Sequence, residues 1–268
     1  MSMAGIEGRY TLWRQFRTQC RVIGALLVRE AVAVYGRSGL GTGWLALEPL
    51  VFAIPVFLLW QAVHTPFNHG MPLMALVWTG YMPILLFRHL GGRMLHFIRN
   101  NSGLLYHRHV TIFDIFVARC LIEIVQNIVS GALIYFLFYL LGGLEAPYNW
   151  PMLVVGYLYM IWWCVVVALI VGALSERADW VEKLWQPYSY TYLFYCGMWF
   201  MAAWLPTHLR DVALLQPSLQ AYEMIRDGVA GNKVQTYYDF GYMTFVLSVL
   251  TLFGLWALRD GRKYVTAG

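Results

Sequence analysis

This sequence predicts an all-α membrane protein of six spans, and three observations support that fold class. The first is composition. The 268 residues are 60% hydrophobic and 12% charged, with a mean hydropathy of +0.56, whereas a soluble domain is about 45–50% apolar and about 25% charged. A soluble globule of this length cannot hide so much apolar surface, but lipid can solvate it. The second is the length of the apolar runs, which approach the roughly 20 residues that a helix needs to cross the hydrocarbon core. Barrel strands alternate polar and apolar over about ten residues, and these runs do not. The third is the placement of the basic residues, which lie almost all to one side of the expected spans.

Residues 1–43 come first and are too polar to span. Trp13, Phe16, Cys20, Ile23 and Leu27 recur at steps of three and four, with Arg14, Arg17 and Arg21 on the adjoining face. A basic amphipathic helix with aromatic anchors lies in the membrane interface. Gly36, Gly39, Gly41 and Gly43 end it and permit a sharp turn. The arginines running through this segment, with no basic-then-apolar-then-small order, are unlike a signal peptide.

The spans then follow in order: Trp44–Val63, Pro72–Phe87, Ile112–Leu141, Met152–Leu174, Leu184–Leu205 and Phe240–Leu258. Together they make a transmembrane unit over 44–258, followed by a tail over 259–268. Within it, residues 88–111 form a basic cytoplasmic bend. Residues 206–239 are too long for a turn, and Pro206, Pro217, Gly228 and Gly231 divide them into short pieces. This segment is expected to be a re-entrant or interfacial hairpin outside the cytoplasm. Of the 19 Lys and Arg, all but Arg210, Arg226 and Lys233 fall on the side that carries both termini. The positive-inside rule places that side in the cytoplasm. The same bias gives a pI near 9.0 without nucleic acid, because basic flanks face anionic headgroups. Cys20, Cys120, Cys164 and Cys196 are scattered, so no disulfide framework is expected.

Three sequence blocks carry a family resemblance. The first is Arg29-Glu30, Tyr35, Ser38, Leu40-Gly41, Trp44 and Glu48-Pro49; the second is Gly103–Val110 with Asp114, Arg119 and Glu123; the third is Leu214–Pro217 with Glu223 and Arg226. In order and spacing they resemble ABC-2 type permeases that export polysaccharides, most of all the Kps-type capsule exporters. Val34, His109 and Ile112 depart from the usual pattern. The resemblance implies a homodimeric permease in the bacterial inner membrane. It would work with a separate ATPase that binds ATP and Mg, with periplasmic and outer-membrane export proteins, and with a lipid-linked anionic polysaccharide as cargo. O-antigen and teichoic acid exporters share the pattern. Arg29, Glu30, Tyr35, Ser38, Trp44 and Glu48 would then form a gate-helix motif.

Other residues suggest roles from their own chemistry. Asn101 helps to break the helix after span two, and Leu104, Leu105 and Tyr106 form an apolar wedge beside Arg108. The resemblance makes them the ATPase coupling site; the alternative is an ordinary connection. Trp185, Tyr188, Tyr192, Tyr195 and Trp199 fall on one helical stripe. Such a stripe either lines a sugar channel or packs against another helix. Arg88, His89, Arg93 and His96 form a basic face that could receive an anionic glycan or lipid, or snorkel to headgroups. No phosphate-cradling G-x-x-x-x-G-K-[ST] occurs, so ATP hydrolysis is expected in a partner and not in this chain. His107 and His109 lack a third ligand for a metal. A membrane-embedded glycosyl or acyl transferase is the rival reading, as is a passive channel. The transferase would need catalytic groups in mid-span, and Glu123 and Asp239 lie near span ends.

Overall fold

A computed structural model describes residues 3–35, 71–105 and 110–259, with isolated positions between 51 and 68. The expected first span, 44–63, lies largely outside the described residues. Helix α1 is described over Met3–Tyr35, and the glycine-rich stretch from Gly36 expected to end it lies outside the described residues. A two-residue antiparallel pair, β1 (Phe67–Asn68) with β2 (Met71–Pro72), leads into α2 (Leu73–Arg93). Two single-turn helices follow, α3 (Phe97–Asn100) and α4 (Ser102–Leu105). Then come α5 (Ile112–Leu140), α6 (Trp150–Ser175) and α7 (Trp180–Tyr192). Short α8 (Thr207–Ala213), α9 (Pro217–Ala230) and finally α10 (Phe240–Leu258) complete the chain.

Among the described residues, α2, α5, α6 and α10 are long and apolar enough to cross a membrane. Their starts follow from local chemistry. Thr111 and Asp114 form a reciprocal capping box on α5: Asp114 N donates to Thr111 Oγ1 and Thr111 N donates to Asp114 Oδ2. Asn149 accepts from Met152 N at α6, with Pro151 in its first turn. Asp239 accepts from Gly241 N and Tyr242 N at α10.

Helix α2 is the core of the bundle, buried nearly all round against α5, α6, α7 and α9. The outward faces of α5 and α10 carry exposed Val125, Val129, Leu133, Phe245, Val249 and Leu252, as lipid-solvated helices should. Helix α1 is docked on α5 through Gln19–Asp114 and Glu30–Arg119. Its buried side runs through Val22, Ile23, Leu26 and Leu27, while Trp13, Arg17, Cys20 and Arg21 stay exposed. The apolar face read from the sequence therefore divides, its later part turned to α5 and Trp13 and Cys20 of its earlier part exposed.

The expected fifth span is not one helix. Helix α7 ends at Tyr192, and turns followed by a 3-10 turn at Ala202–Trp204 carry the chain onward. Pro187 lies within α7, and Gly197 adopts φ +98, a conformation that side chains resist. Helix α9 packs lengthwise and antiparallel on the first half of α6. Gly156 permits this approach, since a Cβ there would stand 2.7 Å from Ile225 N. Gly156→Val is expected to destabilise the protein by about 1–3 kcal/mol through overpacking. The check is a lowered melting temperature in detergent, with Val154→Ala on the exposed side as control.

Candidate functional site

At one end of the bundle, α9 organises the interrupted segment. Arg226 and Glu223 lie one helical turn apart and are both fully buried, with Arg226 Nη1 3.7 Å from Glu223 Oε1. Arg226 donates to the carbonyls of Phe200 (2.6 Å), Gly197 (2.7 Å) and Met198 (2.9 Å). Glu223 accepts from Ala202 N at 3.1 Å and Tyr237 N at 3.2 Å. Ser218 donates to Cys196 O, and Tyr222 to Gly80 O on α2. Non-helical backbone inside an apolar bundle survives only if its polar groups are satisfied. One face of α9 does this for residues 196–202. As a pair, Glu223 and Arg226 were joined in the sequence only by the third family block. An additional signal was available: Glu-x-x-Arg on one helix face in a chain with only 14 acidic residues.

The aromatic stripe persists across the end of α7, although Tyr195 and Trp199 lie beyond the helix. Ring centroids step from Trp185 to Tyr188 (5.9 Å), Tyr192 (5.9 Å) and Tyr195 (5.3 Å). Its members divide by environment. Trp185 is buried over Gly91, where a methyl group would overlap the indole. Tyr192 is buried, stacked on Phe87 at 4.1 Å, and accepts from Trp163 Nε1 at 2.9 Å. Tyr188 and Tyr195 are about two-fifths exposed, at 42% and 41%, and Trp199 is half-buried. The ladder thus has an inner anchor and an open outer edge. Tyr192→Ala is expected to destabilise the bundle by about 3–5 kcal/mol through the cavity left against Phe87 and Trp163, and Tyr195→Ala by much less. Thermal melting of each variant in detergent checks it.

At the opposite end, the chain bends sharply after α2. His96 adopts a left-handed conformation, φ +50, uncommon for a residue with a side chain. The connection between α6 and α7 holds this bend. His96 N donates to Ser175 Oγ (3.0 Å), and His96 Nε2 lies 3.2 Å from Glu182. Buried Glu176 accepts from Ile98 N (2.7 Å) and Arg99 N (3.2 Å), satisfying the start of α3. Buried Asn101 donates to Phe97 O at 2.8 Å. Leu104 and Leu105 pack partly on the core, and Gly103 is exposed. Tyr106 and Arg108 lie outside the described residues, as do Ser38, Trp44, Glu48 and the side chain of Tyr35.

The basic residues at the end of α2 and in the bend after it divide among separate partners. Arg88 lies over the Tyr190 ring at 4.2 Å, Arg93 pairs with buried Glu123 at 2.7 Å, and His96 meets Glu182. His89 also has a partner. Arg119 donates to Arg93 O at 2.8 Å and lies 3.6 Å from Glu30. A run from Glu30 on α1 through Arg119 and Arg93 to Glu123 thereby joins two motifs that were separate in sequence. Arg29, beside Glu30, is exposed.

Comparison with known proteins gives a consistent set of relatives. The chain is 30% identical to a capsule polysaccharide export inner-membrane protein, BexB of Haemophilus influenzae, over 96% of this chain and 97% of that protein. It is 29% identical to CtrC of Neisseria meningitidis serogroup B, a protein of the same description, over 91% and 92%. It is 23% identical to the polysialic acid transport protein KpsM of Escherichia coli, over 90% and 93%. No family model matches the chain.

Proposed function

The chain belongs to the capsule polysaccharide export inner-membrane proteins, and on that premise we propose how it moves its cargo. It is a helical, multi-pass inner-membrane permease for capsular polysaccharide. In our reading two copies form the path, each docked to a separate ATPase, with both termini and the 94–105 bend on the cytoplasmic side. The first span over 44–63 and the interrupted segment over 184–205 bring the crossings to six. The α8–α9 hairpin re-enters from the far side, and the open edge of the α7 ladder faces a lipid-linked glycan between the copies. Arg88 and His89 would meet its anionic groups near the cytoplasmic side.

The observation that carries this mechanism is the clasp between His96–Arg99 and Ser175–Glu182. A push on α4 is transmitted to α6 and α7 because hydrogen bonds from buried groups make the bend and the connection one body. Coupling requires such a rigid link to an element with two arrangements, and the interrupted segment above α7 is that element. The network from Glu30 to Glu123 ties α1 to the same base.

Leu104→Asp with Leu105→Asp is expected to abolish co-purification of the ATPase while leaving the chain in the membrane. Burying two unpaired carboxylates at a contact costs several kcal/mol. Retained association would remove this wedge from the docking site.

A further inference from the structure

The helix that follows the aromatic ladder, α8, forms a pocket with the strand-like approach to α10. We propose that this pocket is a sugar subsite that takes the neutral, hydroxyl-bearing face of a glycan; it rests on the export reading above. The pocket has a volume of about 440 Å³, and Asp211, Gln220, Tyr237, Tyr238, Asp239 and Tyr242 line it. That volume suits a small organic ligand. It lies at the end of the bundle away from the 94–105 bend, because Arg177 bonds Ala257 O and so fixes the other end of α10 beside the α6–α7 connection.

The polar groups divide into satisfied and available ones, and that division selects the ligand. Gln220 is held in place, donating to Leu214 O (2.6 Å) and accepting from Asp239 N (2.8 Å), with a second amide N–H left over. Tyr238 donates to Asp227 and Tyr242 to Leu215 O. Asp239 spends Oδ1 on the α10 cap, which leaves Oδ2. Asp211 makes no hydrogen bond or ion pair among the described residues. Tyr237 accepts from Arg210 Nη1 at 3.0 Å, with the guanidinium 4.4 Å over its ring, so its own hydroxyl proton remains to donate.

What remains is a mixed set walled by phenol rings: carboxylate acceptors on Asp211 and Asp239, and donors on Tyr237 and Gln220. Sugar hydroxyls supply the donors that free carboxylate oxygens need, and the C–H face of a pyranose stacks on an aromatic ring. A carboxylate-bearing or phosphorylated sugar would meet Asp211 and Asp239 with like charge, which the single guanidinium of Arg210 over Tyr237 offsets only in part. The subsite therefore holds the uncharged faces of the passing glycan, and the anionic groups are left to other parts of the path.

The test uses the full chain in nanodiscs made of phosphatidylglycerol alone, which removes ammonium headgroups as competitors. Saturation-transfer NMR would compare chitotetraose with a sialic acid tetramer. The expected result is saturable transfer to chitotetraose that weakens about tenfold in Asp211→Ala, the loss typical of a hydrogen bond to a charged group. Tyr237→Phe, which keeps the ring, is expected to weaken it less. Asp211 is exposed and unpaired, so its variant should keep the wild-type melting temperature. Equal signals from wild type and Asp211→Ala, no saturable signal from either sugar, or a preference for the sialic acid tetramer would each overturn the subsite. The export reading fails separately, if a strain lacking the chain still displays polysaccharide.

Discussion

Arg226→Met is expected to be the most damaging single substitution in the described part of the chain, with a loss of about 3–5 kcal/mol of stability. The guanidinium holds the carbonyls of Gly197, Met198 and Phe200 together, and Glu223 lies beside it. Methionine fills a similar volume but leaves those carbonyls and a carboxylate buried without their donor. Arg226→Lys keeps the charge but loses the planar fork, and it should fall between the two. Glu223→Gln with Arg226→Met should be less harmful than the separate losses added together, because no uncompensated charge remains. Thermal melting in detergent, with proteolysis mapped over 193–205, checks all of these. An Arg226→Met protein that melts like wild type would show that the interrupted segment holds itself.

Glu176→Ala should have the largest effect on transport for the least effect on folding. The carboxylate accepts from Ile98 N and Arg99 N, and alanine leaves both donors unmet at the start of α3. The local loss is about 1–3 kcal/mol, confined to a bend at the edge of the bundle. The expected phenotype is an intact ATPase complex that still hydrolyses ATP while export falls about tenfold, the equivalent of about 1.4 kcal/mol of lost coupling. Glu176→Gln keeps an acceptor oxygen and should keep most of the export. Parallel loss of hydrolysis and export would instead make Glu176 part of ATPase docking.

Much of this architecture was legible in the sequence because lipid imposes a simple rule on it. Phe240–Leu258 matches the expected span at both ends, and α5 and α6 match within two residues. Uninterrupted apolar length sets these helices, and length is visible. The interrupted segment was not legible, since residues 184–205 are as apolar as a span. Its turns take their partners from a distant helix, from Arg226, Glu223 and Ser218 of α9. The partners of the basic residues at and after the end of α2 were hidden for the same reason: spacing shows Arg93 and His96, but not that Glu123 and Glu182 come to meet them. The aromatic ladder was readable as a register. Which rings anchor and which stay open depended on Phe87, Gly91 and Trp163, from other helices.

Sidedness is the claim on which the two working ends depend, and it can be measured in one labelling experiment. Gly103→Cys on the bend and Asn232→Cys beyond α9 are both exposed positions; each would be placed in a chain whose Cys20 has been replaced. With a membrane-impermeant maleimide, Asn232→Cys should label in cells with a permeabilised outer membrane, and Gly103→Cys only in inverted inner-membrane vesicles. Labelling of Gly103→Cys from the periplasmic side would put the bend out of reach of any ATPase and contradict the account.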